Sequence, residues 1–432
     1  MLSQEDNDLL TKVGPGTPMG ELLRRFWTPA LLSEELATPD CDPVSLRLLG
    51  EDLVCFRDSD GRVGILDAYC AHRRVHLFYG RNEDCGLRCV YHGWKYDVDG
   101  NCVDMPSEPD ATNFKNKVKL TSYPTVDRGG VIYVYMGPAE LKPEPPELEW
   151  SYLPEAQRTA TKRLQQNNWA QAVEGGIDSS HISFLHNRTI GQEVNKDSAV
   201  PRNKYHGQDR HPVFEIEEVD YGLRIAARRN AEPGKHYWRI TQFLFPYYTM
   251  IPPVGNFETS EGQPYAGHAW VPIDDENTWT WSFGANPSRD YTEEERDFAG
   301  GKNGMWGPID NNYLPLQNQG NNYRIDREVQ RTQSFTGISG IPNQDAAVQE
   351  SMGPIVDRSK EKLGTSDTAI IVFRKNLIRL AKGLSEGVEP IAATHGDLYN
   401  VRSVSILLDE GVEFAEGAEH LFPGGDIRSA AE

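Results

Sequence analysis

Short runs of alternating apolar and polar residues dominate the first third of the chain. VSLRLL (44–49), DLVCFR (52–57) and RVGILD (62–67) have strand length and are parted by Gly50-Glu51 and Asp58-Ser59-Asp60-Gly61, both hairpin-turn chemistry. GGVIYVYMG (129–137) reads as a last strand of this region, and KPEPPELEW (142–150) as a Pro/Glu-rich connector. Ahead of the strands, GPGTPMGELLRRFW carries a helix start, with Thr17 as N-cap and Pro18 in the first helical position; Leu22, Leu23, Phe26 and Trp27 form its apolar stripe. After the connector, RLQQNNWAQAVEGGIDSSHISFLH (163–186) has helical character. Alternation then returns in VFEIEEV (213–219), GLRIAARR (222–229), YWRITQFLF (237–245), GHAWVPI (267–273) and TWTWSF (278–283). The stretch 285–345, rich in Asn, Gly, Arg and Gln, predicts extended loops. TAIIVFRKNLIRLAKGL (368–384) predicts an amphipathic helix with Ile370, Phe373, Leu377, Leu380 and Leu384 on one face and Ser366 as its cap. The expected class is α+β: a β-rich region at 40–140, and an antiparallel sheet wrapped on helices at 155–432. A helical segment, 1–39, is expected to pack on the second of these.

A chain of 432 residues has room for two or three domains. Its formal charge of −20 and pI near 5.0 argue against nucleic acid or an anionic membrane as partner. No run approaches the apolar length of a membrane span, and MLSQEDNDLL lacks the pattern of a secretory signal.

The chemistry concentrates in Cys70-x-His72, sixteen further residues, and Cys89-x-x-His92. Two thiolates and two imidazoles arriving as two short loops are the ligand set of a Rieske [2Fe–2S] centre, two Cys on one iron and two His on the other. Zinc accepts the same atoms, but zinc fingers pair Cys with Cys and His with His, whereas these loops interleave them. The remaining thiols, Cys41, Cys55, Cys85 and Cys102, are expected to stay reduced in a cytoplasm. The extra Cys pair of high-potential Rieske proteins is missing, Val75 and Tyr91 standing near those positions, so a low-potential cluster fed by a reductase is expected.

A second constellation is Glu174-x-x-x-Asp178-x-x-His181-x-x-x-x-His186. Residues 174, 178 and 181 fall on one face of a helix. His181 and His186 are five apart, about 140° around an ideal helix, so the helix must bulge or end between them for both to reach one ion. The bland alternative is a hydrogen-bonded histidine pair. A Rieske centre needs an electron acceptor, however, and a non-haem Fe(II) site needs two His, one carboxylate and open positions.

CAHR…CVYHGWKYDVDGNCVDMPSEP together with EGGIDSSHISFLH resembles the Rieske non-haem iron aromatic-ring oxygenases, and most of all the phthalate-dioxygenase group without a β subunit. GPGTPMGELLRRFW and MGPIVDRSKEKLGTSD extend the likeness over most of the chain. The resemblance implies an N-terminal β-rich Rieske domain and a helix-grip-like catalytic domain with C-terminal helices. The implied cofactors are a [2Fe–2S] cluster on Cys70, His72, Cys89 and His92 and a mononuclear Fe(II) on His181 and His186. It places the third iron ligand in a D-x-x-V-x-E context, which Asp345 fits, with Asp357 as rival. Asp178 matches the acid that bridges the two metal centres across neighbouring subunits, implying a trimer or stacked hexamer. One departure stands out: the first loop reads Cys70-Ala71-His72-Arg73-Arg74, where the group usually has C-P-H-R-G. His76, near the cluster loops, is expected to be a surface or packing residue and not a ligand.

The implied activity is ring hydroxylation of an aromatic carboxylate with O₂, using electrons from a separate reductase. Monooxygenation or O-demethylation would use the same iron. A Rieske electron carrier would need none of His181, His186 and Asp345, and a zinc-stabilised interaction module would be colourless. In YWRITQFLF, Arg239 shares a face with Tyr237, Thr241, Phe243 and Phe245, which suits a flat ring bearing a carboxylate; Arg210 is a second candidate.

Overall fold

The computed structural model describes residues 2–187, 201–254, 262–300 and 307–427. Every sheet among them is antiparallel. The expected hairpins form a sheet ordered Val44–Leu48, Glu51–Arg57, Val63–Asp67, Ser122–Tyr123. A smaller sheet follows, built from Arg81–Glu83, Gly86–Arg88, Lys95–Tyr96 and Cys102–Asp104. Between them lies a separate core of Val54, Phe56, Leu66, Leu77, Leu87, Trp94 and Tyr96, which also buries Cys70 and Cys89. Burial of each such side chain is worth about 1.5–3 kcal/mol, enough to hold two short loops on a small scaffold.

The first 39 residues are not all helical. Helices Gln4–Thr11 and Pro18–Leu23 pack on the long helix Thr368–Ser385, and Thr17 accepts from the Gly20 amide as the expected N-cap. Trp27, expected to close the helical stripe, instead opens the strand Trp27–Leu32, which pairs with Val131–Tyr135. Pro29 ends any helix there, and all six of its residues are buried.

The second region is one large sheet. Arg158–Gln165, Thr278–Ala285, Tyr265–Pro272, Tyr248–Ile251, Lys235–Leu244, Gly222–Asn230 and Val213–Val219 lie side by side, and Val404–Asp409 also pairs with Lys235–Leu244. Alternation divides its central strand as predicted. Trp238 and Ile240 face Val404, Ile406 and Phe414 on one side, while Phe243 on the other meets Phe373 of the long helix, ring centroids 5.1 Å apart.

Several expectations are corrected. Arg158–Gln165 is a strand although its last residues, from Arg163, were read into a helix, because buried polar residues on both faces hide the alternation. Lys162 lies on one face, over the rings of Trp279 and Tyr313 and 2.5 Å from Glu35; Arg163 and Gln165 lie on the other. The 285–345 stretch contains helices Glu293–Gly300 and Arg327–Thr332 and the start of Ile341–Ser351. Asp367, not Ser366, occupies the N-cap of Thr368–Ser385. That helix buries Ala369, Phe373, Leu377, Ile378 and Ala381, leaving Ile370, Leu380 and Leu384 half-buried.

Glu174 is also reassigned. It does not share a face with Asp178, because helix Trp169–Ile177 ends at Ile177. Its buried carboxylate pairs with Arg358 at 3.1 Å and Arg374 at 2.8 Å, and Arg358 donates to Asn7. Burial alone would raise the pKa of this carboxyl, but the two guanidiniums outweigh it and hold it below the ordinary value. The cluster ties the N-terminal helix, the Trp169–Ile177 helix and the C-terminal helix together.

Candidate active site

The two Cys/His loops share one backbone geometry. Cys70 N–H donates to the Val75 carbonyl, and Arg74 N–H donates back to Cys70. In the second loop Cys89 N–H donates to Trp94 and Gly93 N–H to Cys89. The equivalent residues Arg74 and Gly93 both have positive φ, 57° and 79°. Glycine adopts this conformation freely, whereas an L side chain costs about 1–2 kcal/mol. Arg74 offsets part of that through Asp67, 2.9 Å away, and the Tyr69 ring, 4.9 Å from its guanidinium carbon.

The loops bury the two thiols, which are 1% and 3% exposed, and lift the imidazoles outward; His72 is exposed and His92 half-buried. The two rings lie 4.3 Å apart, and His72 stacks on Trp94 at 4.5 Å. A site with sulfur donors inside and nitrogen donors outside fits a binuclear cluster with unlike ligands on its two irons. Tyr96, to which the sequence reading gave no role, completes it. Its hydroxyl accepts from Ala71 N–H and lies 3.3 Å from Cys70 Sγ. Burial pushes this phenol well up, so it stays protonated, and its hydroxyl hydrogen is within reach of the sulfur. His76 points elsewhere, capping Phe78 N–H.

The second group forms where helix Trp169–Ile177 stops. Asp178 is its C-cap, a 3₁₀ turn covers His181–Ser183, and His186 follows in a turn. Ending the helix lets histidines five residues apart converge. Their Nε2 atoms lie 3.1 Å apart, and Asp345 Oδ1 from helix Ile341–Ser351 is 3.6 Å from His181 and 3.4 Å from His186. Asp357 stays away, bound to Ser359 and Lys360.

The outer nitrogens decide what the inner ones can do. His181 Nδ1 faces the Asp178 carboxylate at 3.4 Å, and His186 Nδ1 lies 2.8 Å from Gln344 Oε1. Both partners are acceptors, so both Nδ1 atoms carry hydrogen and both Nε2 atoms present lone pairs. Three acceptors thus converge with no donor among them. Ligands on an octahedral ion with bonds of about 2.1 Å sit about 3 Å apart, so these residues could hold a metal on one face and leave the opposite face open. Burial would raise the Asp345 carboxyl, yet His186 and His181 in their protonated forms, together with Arg163, outweigh it and hold it below the usual range, so protons compete with a cation for the same three groups.

The triad opens on a cavity of about 650 Å³. Its sheet wall consists of alternate residues: Arg163 and Gln165, Arg239 and Thr241, His268 and Trp270. Trp270 packs so closely on the helix that a Cβ at Gly176 would come within 2.0 Å of its ring. Arg239 and Arg210, both expected here, line the cavity, and the Arg210 guanidinium lies 5.9 Å from the Phe184 ring. Phe243 faces the long helix rather than the cavity. Three arginines thus share the wall with two carboxylates, Asp178 and Asp345.

Arg163, His268 and Arg229 carried no signal in the sequence. Burial lowers Arg163 to about 10 and, with help from Arg163, lowers His268 to about 4, so at neutral pH the first is charged and the second neutral. Arg229 is fully buried and donates to the Ser179 carbonyl at 2.8 Å, fixing the turn between Asp178 and His181.

Comparison with known proteins bears on both halves of the chain. The Rieske [2Fe-2S] domain family matches residues 26–124, and the family described as LigXa C-terminal domain like matches residues 134–413. The phthalate 4,5-dioxygenase oxygenase subunit of Pseudomonas putida is 43% identical over 90% of this chain and 89% of its own. The 3-chlorobenzoate-3,4-dioxygenase oxygenase subunit of Comamonas testosteroni is 37% identical over 98% of this chain and 99% of its own. Among solved structures, dicamba monooxygenase bound to dicamba shares the fold, with a TM-score of 0.59 at 18% identity over 84% of this chain and 99% of that one. The chain belongs to the Rieske ring-hydroxylating oxygenases, as an oxygenase component with a [2Fe–2S] domain at its N-terminal end.

Proposed function

We propose that this oxygenase hydroxylates an aromatic carboxylate, of the phthalate, isophthalate or substituted-benzoate type, with O₂ and electrons from a separate NAD(P)H-dependent reductase. One observation carries the reading: three acceptors shaped for a cation lie at one end of a cavity whose wall has more guanidinium than carboxylate. Phthalate and chlorobenzoate in the names of the similar oxygenase subunits support it. Cys70 and Cys89 would hold one iron of the cluster and His72 and His92 the other; His181, His186 and Asp345 would hold the mononuclear iron. When bound, the cluster supplies single electrons and the mononuclear iron supplies the centre that activates O₂.

The protein's own groups do the positioning. Arg239, with Arg210 as second cation, would take the substrate carboxylate, since a guanidinium binds it through two parallel hydrogen bonds. Trp270 and Ile251 would flank the ring and keep water from it. Asp178 holds the Nδ1 proton of His181 and itself accepts from Ser180 N–H at 2.6 Å, which fixes the imidazole plane.

We place Asp178 between His92 of a neighbouring subunit and His181, in a trimer or stacked hexamer. The outward imidazoles, with Val90 and Tyr91 exposed beside His92, support such docking. No helix among the described residues is long and apolar enough to cross a membrane. The four cysteines outside the cluster loops, Cys41, Cys55, Cys85 and Cys102, form no disulfide among the described residues, which supports a reducing cytoplasm as its location.

The test is turnover with a cognate reductase. Aromatic carboxylates should accelerate NADH and O₂ consumption, neutral esters should not, and the product should gain two oxygens and two hydrogens. Gain of one oxygen, or release of formaldehyde from a methoxy substrate, would assign monooxygenation or O-demethylation instead. Indifference to carboxylates would refute the substrate class.

A further inference from the structure

The two histidines of the triad are held differently. Behind His181 stands a carboxylate, Asp178; behind His186 stands a neutral amide, Gln344, at 2.8 Å. The orientation of that amide is fixed by a second contact: Gln344 Nε2 donates to the Ile338 carbonyl at 2.8 Å. A carbonyl oxygen can only accept, so the NH₂ end faces Ile338 and the oxygen faces His186. The imidazole must then donate from Nδ1 and present its Nε2 lone pair toward Asp345, 3.4 Å away. Gln344 is buried, which shields the contact from competing water.

Gln344 also precedes Asp345 in the chain. One turn of helix Ile341–Ser351 therefore delivers both the carboxylate of the triad and the group that aims one of its imidazoles. The same helix is anchored at both ends of this stretch. Arg163 Nη2 donates to the Pro342 carbonyl at 3.3 Å, and the Gln349 side chain accepts from Gln165 at 2.6 Å. Any shift of the helix moves Asp345 and turns His186 together.

We infer that Gln344 is a positioning residue for the mononuclear metal site, fixing the tautomer and ring plane of His186 so that metal affinity depends on it. This rests on the reading that His181, His186 and Asp345 hold that metal. Outer partners of metal-bound histidines typically contribute about 10–100-fold in affinity.

The experiment uses full-length protein with its cluster oxidised, and so EPR-silent, and with the mononuclear site stripped by chelation. Co²⁺ is then bound by equilibrium dialysis and its EPR spectrum recorded. Gln344→Leu should weaken Co²⁺ binding about 10–100-fold and alter the spectrum, with cluster absorbance unchanged. Gln344→Glu keeps an acceptor for His186 but loses the donor to Ile338, and it should bind Co²⁺ close to wild type. Wild-type affinity in Gln344→Leu would overturn the inference. So would equal losses in both variants with an unchanged spectrum, since that marks a residue needed only to hold the Ile338 turn. His186→Ala serves as the separate control. Undiminished Co²⁺ binding in that variant would remove the metal-site reading itself, and the role of Gln344 with it.

Discussion

The Asp178 carboxylate lies 3.4 Å from Nδ1 of His181, on the opposite edge of the ring from Asp345, whose Oδ1 is 3.6 Å from Nε2. One imidazole thus joins the metal triad to an acid at the cavity rim. Removing the charge while keeping the shape isolates that link. Asp178→Asn should retain both metals and the fold, yet slow electron transfer from the cluster by orders of magnitude. Single-turnover oxidation of pre-reduced protein measures it, and an unchanged rate would show that electrons take another route.

The cationic wall of the cavity makes a prediction about binding. Arg239→Ala should raise KM for an aromatic carboxylate at least tenfold, about 1.4 kcal/mol or more of lost binding. A neutral analogue should be affected far less. Equal losses for the two would mean that the buried Arg239 supports the sheet instead of reading the substrate.

His268 makes a prediction about pH. Burial first, and the Arg163 charge second, lower its pKa from 6.5 to about 4. Below pH 6.5 the unfolded chain takes up a proton that the folded protein refuses. The contribution of His268 to stability is therefore complete above pH 6.5, declines as pH falls toward 4, and falls no further below that. The whole effect is at most about 3 kcal/mol. Guanidinium unfolding midpoints at pH 7.5 and 5 should differ more for wild type than for His268→Gln. Identical pH dependence in the two proteins would mean that folding does not lower the His268 pKa.

Much of this was legible in the sequence because local chemistry and local pattern agree there. The hairpins of residues 44–67 announce themselves by alternation and turn residues, and the Cys70/His72 and Cys89/His92 loops by spacing. Asp345 was not visible by pattern. It lies 159 positions beyond His186, on a helix inside a stretch whose polarity reads as loop. Only likeness to a family pointed there.

What stayed hidden was buried polarity. Lys162, Arg163 and Gln165 look like a surface segment, but each is paired inside the fold, so the strand carrying them was missed. Glu174 looked like part of the metal helix, and only tertiary packing reveals Arg358 and Arg374 against it. The departure Arg74, visible as an anomaly in the first loop, acquires a physical meaning once its φ of 57° is known. It occupies the position that glycine fills in the second loop.

The central claim is that His181, His186 and Asp345 form one mononuclear iron site supplied by a separate cluster. The most direct measurement is iron content together with the cluster EPR signal in His181→Ala, His186→Ala and Asp345→Ala. Each variant should lose the mononuclear iron and all turnover while keeping the [2Fe–2S] signal of wild type. Retention of that iron in Asp345→Ala, with its loss in Asp357→Ala, would contradict the account.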